Sequence, residues 1–300
     1  MRASTLLLGL VPLLGLGELG LHGYFATRAP DFAAYQQLAP ELLRRKRPGV
    51  PVVVSPRWAE PLLRQAAPAA FPIAELTRAD DSGFSVFLEV SLHGARAPEL
   101  AALPIREQKQ LGQFTLLLRD NPHFEEPRFD FVTALDNGEV EVWSELGGER
   151  RPCAIAERAR GSTGGLHGPA ARQARRYECP GARVVGVTLI EDQHYRPRRC
   201  ILVDPAKAGL IVLHFSSVPA SQRLVGFTGF SYFLSRDYPG KPAELSIREG
   251  QRELGRKGSE PREGWKRFEL PRPAPGGGVE VAVTRSADEP GDFCFALEAR

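Results

Sequence analysis

The hydrophobic and polar positions change rhythm along the chain. Phe32, Tyr35, Leu38, Leu42 and Leu43 fall at near-helical spacing and predict a helix over Asp31 to Arg47. Pro51 to Val54 is a short apolar run that reads as a buried strand. Ser55-Pro56 then starts a second helix from Arg57 to about Ala67. Phe84 to Leu92 and Gln113 to Leu118 read as further strands, with a short helix at Glu99 to Leu103 between them. Helices alternating with apolar strands predict a small α/β layer over residues 30–122.

Asn121-Pro122 and Glu125-Glu126-Pro127 mark a boundary, and the pattern then shortens. Phe129 to Leu135, Asp136-Asn137-Gly138 and Glu139 to Leu146 carry a β-hairpin signature. Eight more strands follow at short spacing, starting near Val184, Arg199, Leu210, Val225, Ala243, Trp265, Val279 and Phe293. Residues 147–172 are rich in Gly, Arg and Ala and read as a long loop. The expected fold is therefore a multidomain α+β chain. A small α/β domain at 30–122 precedes an antiparallel β-sandwich of jelly-roll type at 128–300.

The first residues change the setting. Arg2 precedes an uncharged run from Ala3 to Gly17, which Glu18 interrupts. Residues 1–27 read as a signal anchor or a signal peptide. The basic cluster Arg44-Arg45-Lys46-Arg47 follows this segment, contrary to a simple charge-orientation rule. The expected location is membrane-anchored and facing the periplasm or the extracellular side. Four cysteines, Cys153, Cys179, Cys200 and Cys294, all lie in the second half, and none forms a CxxC pair. They read as two disulfides, Cys153–Cys179 and Cys200–Cys294 being the favoured pairing of three.

Composition removes several functions. A net charge of +3 gives no nucleic-acid footprint. The first strand is not followed by GxGxxG, and there is no Walker motif and no HExxH. No cofactor, metal or catalytic residue is expected.

Leu224 to Phe233, the strand from Pro242 to Glu249, Gly264-Trp265-Lys266-Arg267-Phe268, Val279 to Thr284 and Asp292-Phe293-Cys294-Phe295 give the second half a resemblance. It resembles a galactose-binding-like jelly roll of the kind found in carbohydrate-binding modules. Sugar recognition combines a stacking ring with planar hydrogen-bonding side chains. The candidates are Tyr232, Arg236, Asp237, Trp265, Lys266 and Asp292. The competing readings are a core or inter-sheet role for Trp265 and a solvated surface pair for Arg236-Asp237.

Val52 to Pro56 and Arg57-Trp58-Ala59-Glu60-Pro61-Leu62 give residues 30–122 a weaker likeness. They are similar to the soluble segment after the last membrane helix of polytopic glycosyltransferases that use lipid-linked sugars. Those enzymes hold their catalytic acids between many membrane helices, and this chain has at most one.

Together these readings imply a non-catalytic accessory protein of envelope glycan processing. Its partners would be the membrane, a carbohydrate or glycolipid, and a membrane glycosyltransferase. The alternatives are an assembly partner with no ligand of its own, docking through its arginines, and a hydrolase built around Asp192-Gln193-His194-Tyr195. Arg196, Arg198 and Arg199 could meet a phosphate or acidic glycan, or form a solvated strand-edge cluster.

Overall fold

The computed structural model describes residues 15–21, 30–156, 175–180, 182–193, 196–205, 209–232, 241–273, 276–285 and 293–300. Two compact units emerge. The first comprises residues 1–72 and 86–122, the second residues 73–85 and 123–300. Residues 73–85, inside the 30–122 span expected from the sequence, group with the second unit.

The first unit is built on α1 (Phe32–Arg45), β1 (Val52–Ser55), α2 (Glu60–Ala66), β2 (Val86–Leu92), β3 (Ile105–Leu111) and β4 (Phe114–Asp120). Asp31 caps α1 by accepting from the Ala34 N–H at 2.9 Å. The sheet order is β1-β2-β4-β3, with β1 parallel to β2 and the other pairs antiparallel. Strand residues alternate between faces. One face packs on α1, where Tyr35 meets Phe114 edge-on at 5.1 Å. The other buries an ion pair, Arg119 Nε to Glu89 Oε2 at 2.5 Å. Glu89 also accepts from the Ala97 N–H, and Arg119 donates to the Leu103 carbonyl. A buried charge needs such saturation, because desolvation would otherwise outweigh the pairing.

Residues 15–21 are helical, and Leu16, Leu19 and Leu21 are exposed. Among the described residues no helix is long and apolar enough to cross a membrane. The rest of the expected anchor at 1–27 lies outside them.

The second unit opens with α3 (Ile73–Leu76), then β5 (Phe129–Asp130), α4 (Phe131–Asn137), β6 (Glu141–Leu146), β7 (Glu149–Pro152) and β8 (Ala154–Ile155). It continues with β9 (Arg176–Glu178), β10 (Ala182–Glu191), β11 (Pro197–Pro205), β12 (Leu210–Pro219) and β13 (Arg223–Phe230). The last strands are β14 (Ala243–Glu249), β15 (Arg252–Ser259), β16 (Lys266–Pro271), β17 (Gly276–Arg285) and β18 (Phe293–Ala299).

Two antiparallel sheets result. One runs β16-β13-β18-β11-β10-β9-β8 with β5 added on β18; the other runs β15-β14-β17-β12-β6-β7. From β11 onward the chain passes repeatedly from one sheet to the other, as a sandwich requires. The inner faces meet in one core, including Phe215, Leu245 and Val281 from one sheet and Ile201, Phe295 and Leu297 from the other.

The disulfides are Cys153–Cys179 and Cys200–Cys294, the favoured pairing. The first lies where the chain leaves β7 for β8, because Ala154 pairs with Glu178 and sets the two cysteines opposite each other. The second ties β11 to β18 on the face turned away from the core, beside Ile190 and Leu202.

The hairpin expected around Asp136-Asn137-Gly138 is corrected. Phe131 to Asn137 form α4 instead. Asp130 caps it, accepting from the Val132 N–H at 2.9 Å and from the Thr133 hydroxyl at 2.6 Å. Gly138 has φ 82° and donates its N–H back to Ala134 and Leu135. The left-handed glycine that a hairpin turn requires serves equally as a helix terminator. Burial of Phe131 and Leu135 in the core decides between the two.

Candidate functional site

The outer face of the β16–β8 sheet is covered by its own chain. Cys294, Ala296 and Glu298 of β18 alternate with the core residues Phe293, Phe295 and Leu297. Residues 73–85 lie over this face as a strap, fixed by hydrogen bonds along its length. The Arg199 N–H donates to the Thr77 carbonyl at 3.0 Å. Arg198 Nη1 donates to the carbonyls of Arg78 and Ala79 at 2.9 and 3.0 Å. The Trp265 indole N–H donates to the Ala79 carbonyl at 3.1 Å. Arg267 and Arg300 reach Asp80 at 3.3 and 3.1 Å.

Between the strap, the start of α4 and the sheet lies a cleft of about 360 Å³. Its floor includes Ala296, whose small side chain leaves room above β18. Part of its lining is apolar: Ile73, Phe84 and Pro127. Part is polar: Asp80, Asp130, Thr133, Arg199 and Glu298. Arg199 is held in place by Thr133 Oγ1 at 3.1 Å and Asp136 Oδ2 at 2.8 Å.

The charges in this wall are matched. The Arg300 guanidinium, almost fully buried, donates from Nε to Glu298 Oε2 at 2.8 Å and also binds Asp80 and Ser82. Burial pushes the Glu298 carboxyl above its ordinary range, which Arg300 only partly offsets. Burial acts the same way on Asp80, but Ser82, Arg300 and Arg267 outweigh it and hold that carboxyl below its ordinary value. Asp80 has both oxygens engaged, Oδ2 by the Ser82 hydroxyl and Arg267, Oδ1 by Arg300. A general base needs an open lone pair. Among the described residues no group of three His, Cys, Asp or Glu side chains could hold a metal ion.

The sequence candidates fall at different places. Trp265 is half-buried, lies parallel to Phe227 at 6.0 Å, and packs on the Cys200–Cys294 cluster. Its N–H is spent on the strap, on the sheet face turned away from the core. Lys266 is exposed and paired with Glu263 at 2.6 Å. Tyr232 is half-buried just beyond β13. Arg236, Asp237 and Asp292 lie outside the described residues, as do His194 and Tyr195 of the hydrolase reading. Asp192 is buried against Arg198 at 2.9 Å and accepts the Arg196 N–H. That corrects the solvated-edge reading of Arg198, which fastens β11 to the strap.

Asp80, Asp130, Thr133 and Glu298 were not among the sequence candidates. Of the cleft's polar residues only Arg199 carried a signal, its place in the cluster Arg196, Arg198 and Arg199.

No family model matches this chain, and no curated protein does. Solved structures do match parts of it. A structure of TmCBM61 in complex with β-1,4-galactotriose is 16% identical, covers 38% of this chain and 82% of its own, and has a TM-score of 0.26. A structure on the promiscuous specificity of carbohydrate-binding modules of the β-sandwich superfamily is 13% identical over 40% of this chain and 53% of its own, with a TM-score of 0.27. The CBM51-2 and INT domains of Clostridium perfringens ZmpB, with GlcNAc, are 10% identical over 67% of this chain and 41% of their own, with a TM-score of 0.33. At these scores the likenesses assign neither a fold nor a ligand, and the sandwich described above rests on its own strand register.

Proposed function

We propose that the second unit is a carbohydrate-binding module and that the cleft beneath the 73–85 strap takes one neutral sugar unit of a glycan. The observation that carries this reading is the charge-matched lining, part polar and part apolar. Asp130, Thr133, Arg199 and Glu298 offer planar or hydroxyl hydrogen-bonding groups, while Ile73, Phe84 and Pro127 offer an apolar margin. A pyranose has the same division, with hydroxyls around its rim and C–H groups on its faces. A charged ligand would find the wall carboxylates Asp130, Asp80 and Glu298 already compensated by Arg199, Arg267 and Arg300. The volume lies in the lower range of sites that enclose small ligands.

The two disulfides support an extracytoplasmic setting, because such bonds persist in oxidising compartments. In that setting the protein acts without catalysis, as an accessory of envelope glycan processing anchored by its N-terminal segment beside a membrane glycosyltransferase. Calorimetric titration of the full chain with neutral hexoses, N-acetylhexosamines and short β-linked oligosaccharides tests the binding. Arg199→Ala removes a donor and releases the side chains it positions, and is expected to weaken binding roughly tenfold or more. An Arg199→Ala protein that is folded and binds with unchanged affinity would remove this cleft from consideration.

A further inference from the structure

We propose that the first unit carries a separate binding site for a phosphate group, formed by Arg44, Arg45 and Arg47 at the end of α1. This site is independent of the sugar reading.

The three arginines surround a pocket of about 190 Å³ whose floor is Leu88 of β2 and Leu118 of β4, with Glu107 of β3 at its rim. Positive charge is in excess there. Arg44, Arg45 and Lys109 converge on the single carboxylate of Glu41, which they hold ionised down to about pH 2. Arg45 also donates to Glu107 at 3.0 Å. Among the described residues the Arg47 guanidinium forms no ion pair, and Arg44 is largely exposed beyond its bond to Glu41. Arg44, Arg45, Arg47 and Lys109 are thus four cations against the two carboxylates Glu41 and Glu107.

The negative end of the α1 dipole accounts for cations in its last turn, Arg44 and Arg45. It does not account for Arg47, which lies past the helix end and still lines the pocket. Lys109 of β3 adds its charge through Glu41, at 3.0 Å, without lining the pocket itself. An apolar floor beneath a concave cationic rim strengthens the field on a bound anion. The guanidinium fork matches two oxygens of a phosphate, and Arg45, held between Glu41 and Glu107, fixes the geometry for its neighbours. The phosphate could belong to a phospholipid headgroup or to a soluble phosphate ester; the chemistry is shared.

Two arms separate the sources. In the first, inorganic phosphate and glycerol phosphate are titrated into the full chain by calorimetry. In the second, the full chain is co-sedimented with vesicles of phosphatidylcholine alone or with added phosphatidylglycerol. The double variant Arg44→Gln/Arg47→Gln is compared with Arg106→Gln, a surface arginine paired with Asp120. The expected result is saturable binding in at least one arm, weakened roughly tenfold or more by the double variant and unaffected by Arg106→Gln. Binding only to phosphatidylglycerol vesicles identifies a headgroup, and binding of the soluble probes identifies a phosphate ester. The proposal is overturned if neither arm shows binding, or if the double variant and Arg106→Gln behave alike.

Discussion

The Trp265 indole N–H and the Ala79 carbonyl are joined at 3.1 Å across 186 residues of sequence. That bond, with those from Arg198, Arg267 and Arg300, makes residues 73–85 part of the sandwich. It also creates the cleft, because the outer face of the sheet would otherwise lie open. Trp265→Phe keeps a ring over Phe227 and loses the donor, so a cost of about 1 kcal/mol is expected. Trp265→Ala also opens a cavity beside the Cys200–Cys294 cluster and should cost about 2–4 kcal/mol. Urea denaturation measures both. Unchanged stability in Trp265→Ala with lost sugar binding would instead make Trp265 a stacking platform.

Helix α4 positions Asp130 and Thr133 at the cleft, and its two ends can be tested separately. Gly138→Ala places a Cβ where φ is 82° and where the Arg175 guanidinium lies. A loss of about 1–2 kcal/mol is expected from the backbone alone. Asp130→Ala removes the N-cap and should cost about 1 kcal/mol, together with weaker sugar binding. A Gly138→Ala protein as stable as the parent would contradict the helix-terminating role of this glycine.

Strands that carry a buried apolar row were legible in the sequence. Ala243–Glu249 and Phe293–Ala299 have the ends expected of them, and the other six strands of the second half lie within a few residues. What stayed hidden were the strands at or near sheet edges. Ile105–Leu111 and Arg252–Ser259 are mostly polar and exposed, because one flank has no partner and needs charge to discourage pairing. Asp136-Asn137-Gly138 misled for another reason: a left-handed glycine suits both a hairpin and a helix end, and only the tertiary burial of Phe131 and Leu135 chooses. The cleft was the least legible feature. Asp80, Asp130 and Glu298 are far apart in sequence, and three arginines bring them together. No local pattern encodes that convergence.

The two disulfides should differ in accessibility. Cys200 and Cys294 are fully buried, whereas Cys153 is half-buried at a sheet corner. Graded reductant on the native protein should open Cys153–Cys179 first, as read by thiol labelling and mass spectrometry. Loop closure over sequence separations of 26 and 94 residues gives roughly 3.5 and 4.7 kcal/mol in the chain-entropy estimate. Removing Cys200–Cys294 should therefore cost more stability. Earlier opening of the buried bond would contradict the packing described.

Asp80 and Glu298 should give stability opposite pH dependences. The folded-state carboxyl of Asp80 is lowered, so its contribution is fully present above its ordinary value of 3.8 and is lost as pH falls below that. That of Glu298 is raised, so the folded state retains a proton longer and stability declines as pH rises above 4.5. Asp80→Asn should lower stability at neutral pH, with the difference closing in acid. Glu298→Gln should flatten the decline above pH 4.5. Urea midpoints between pH 3 and 8 check both, and curves parallel to the parent would contradict the assignment.

The central claim is that a neutral sugar sits under the strap. Amide chemical-shift mapping on the full chain during titration with neutral oligosaccharides tests it most directly, because it reports where a ligand binds. The predicted result is saturable shifts concentrated at Thr77, Thr133, Arg199, Ala296 and Glu298, which need roughly tenfold or more ligand to saturate in Arg199→Ala. Saturable binding that leaves these amides unmoved, or no binding across the panel by a folded protein, would contradict it.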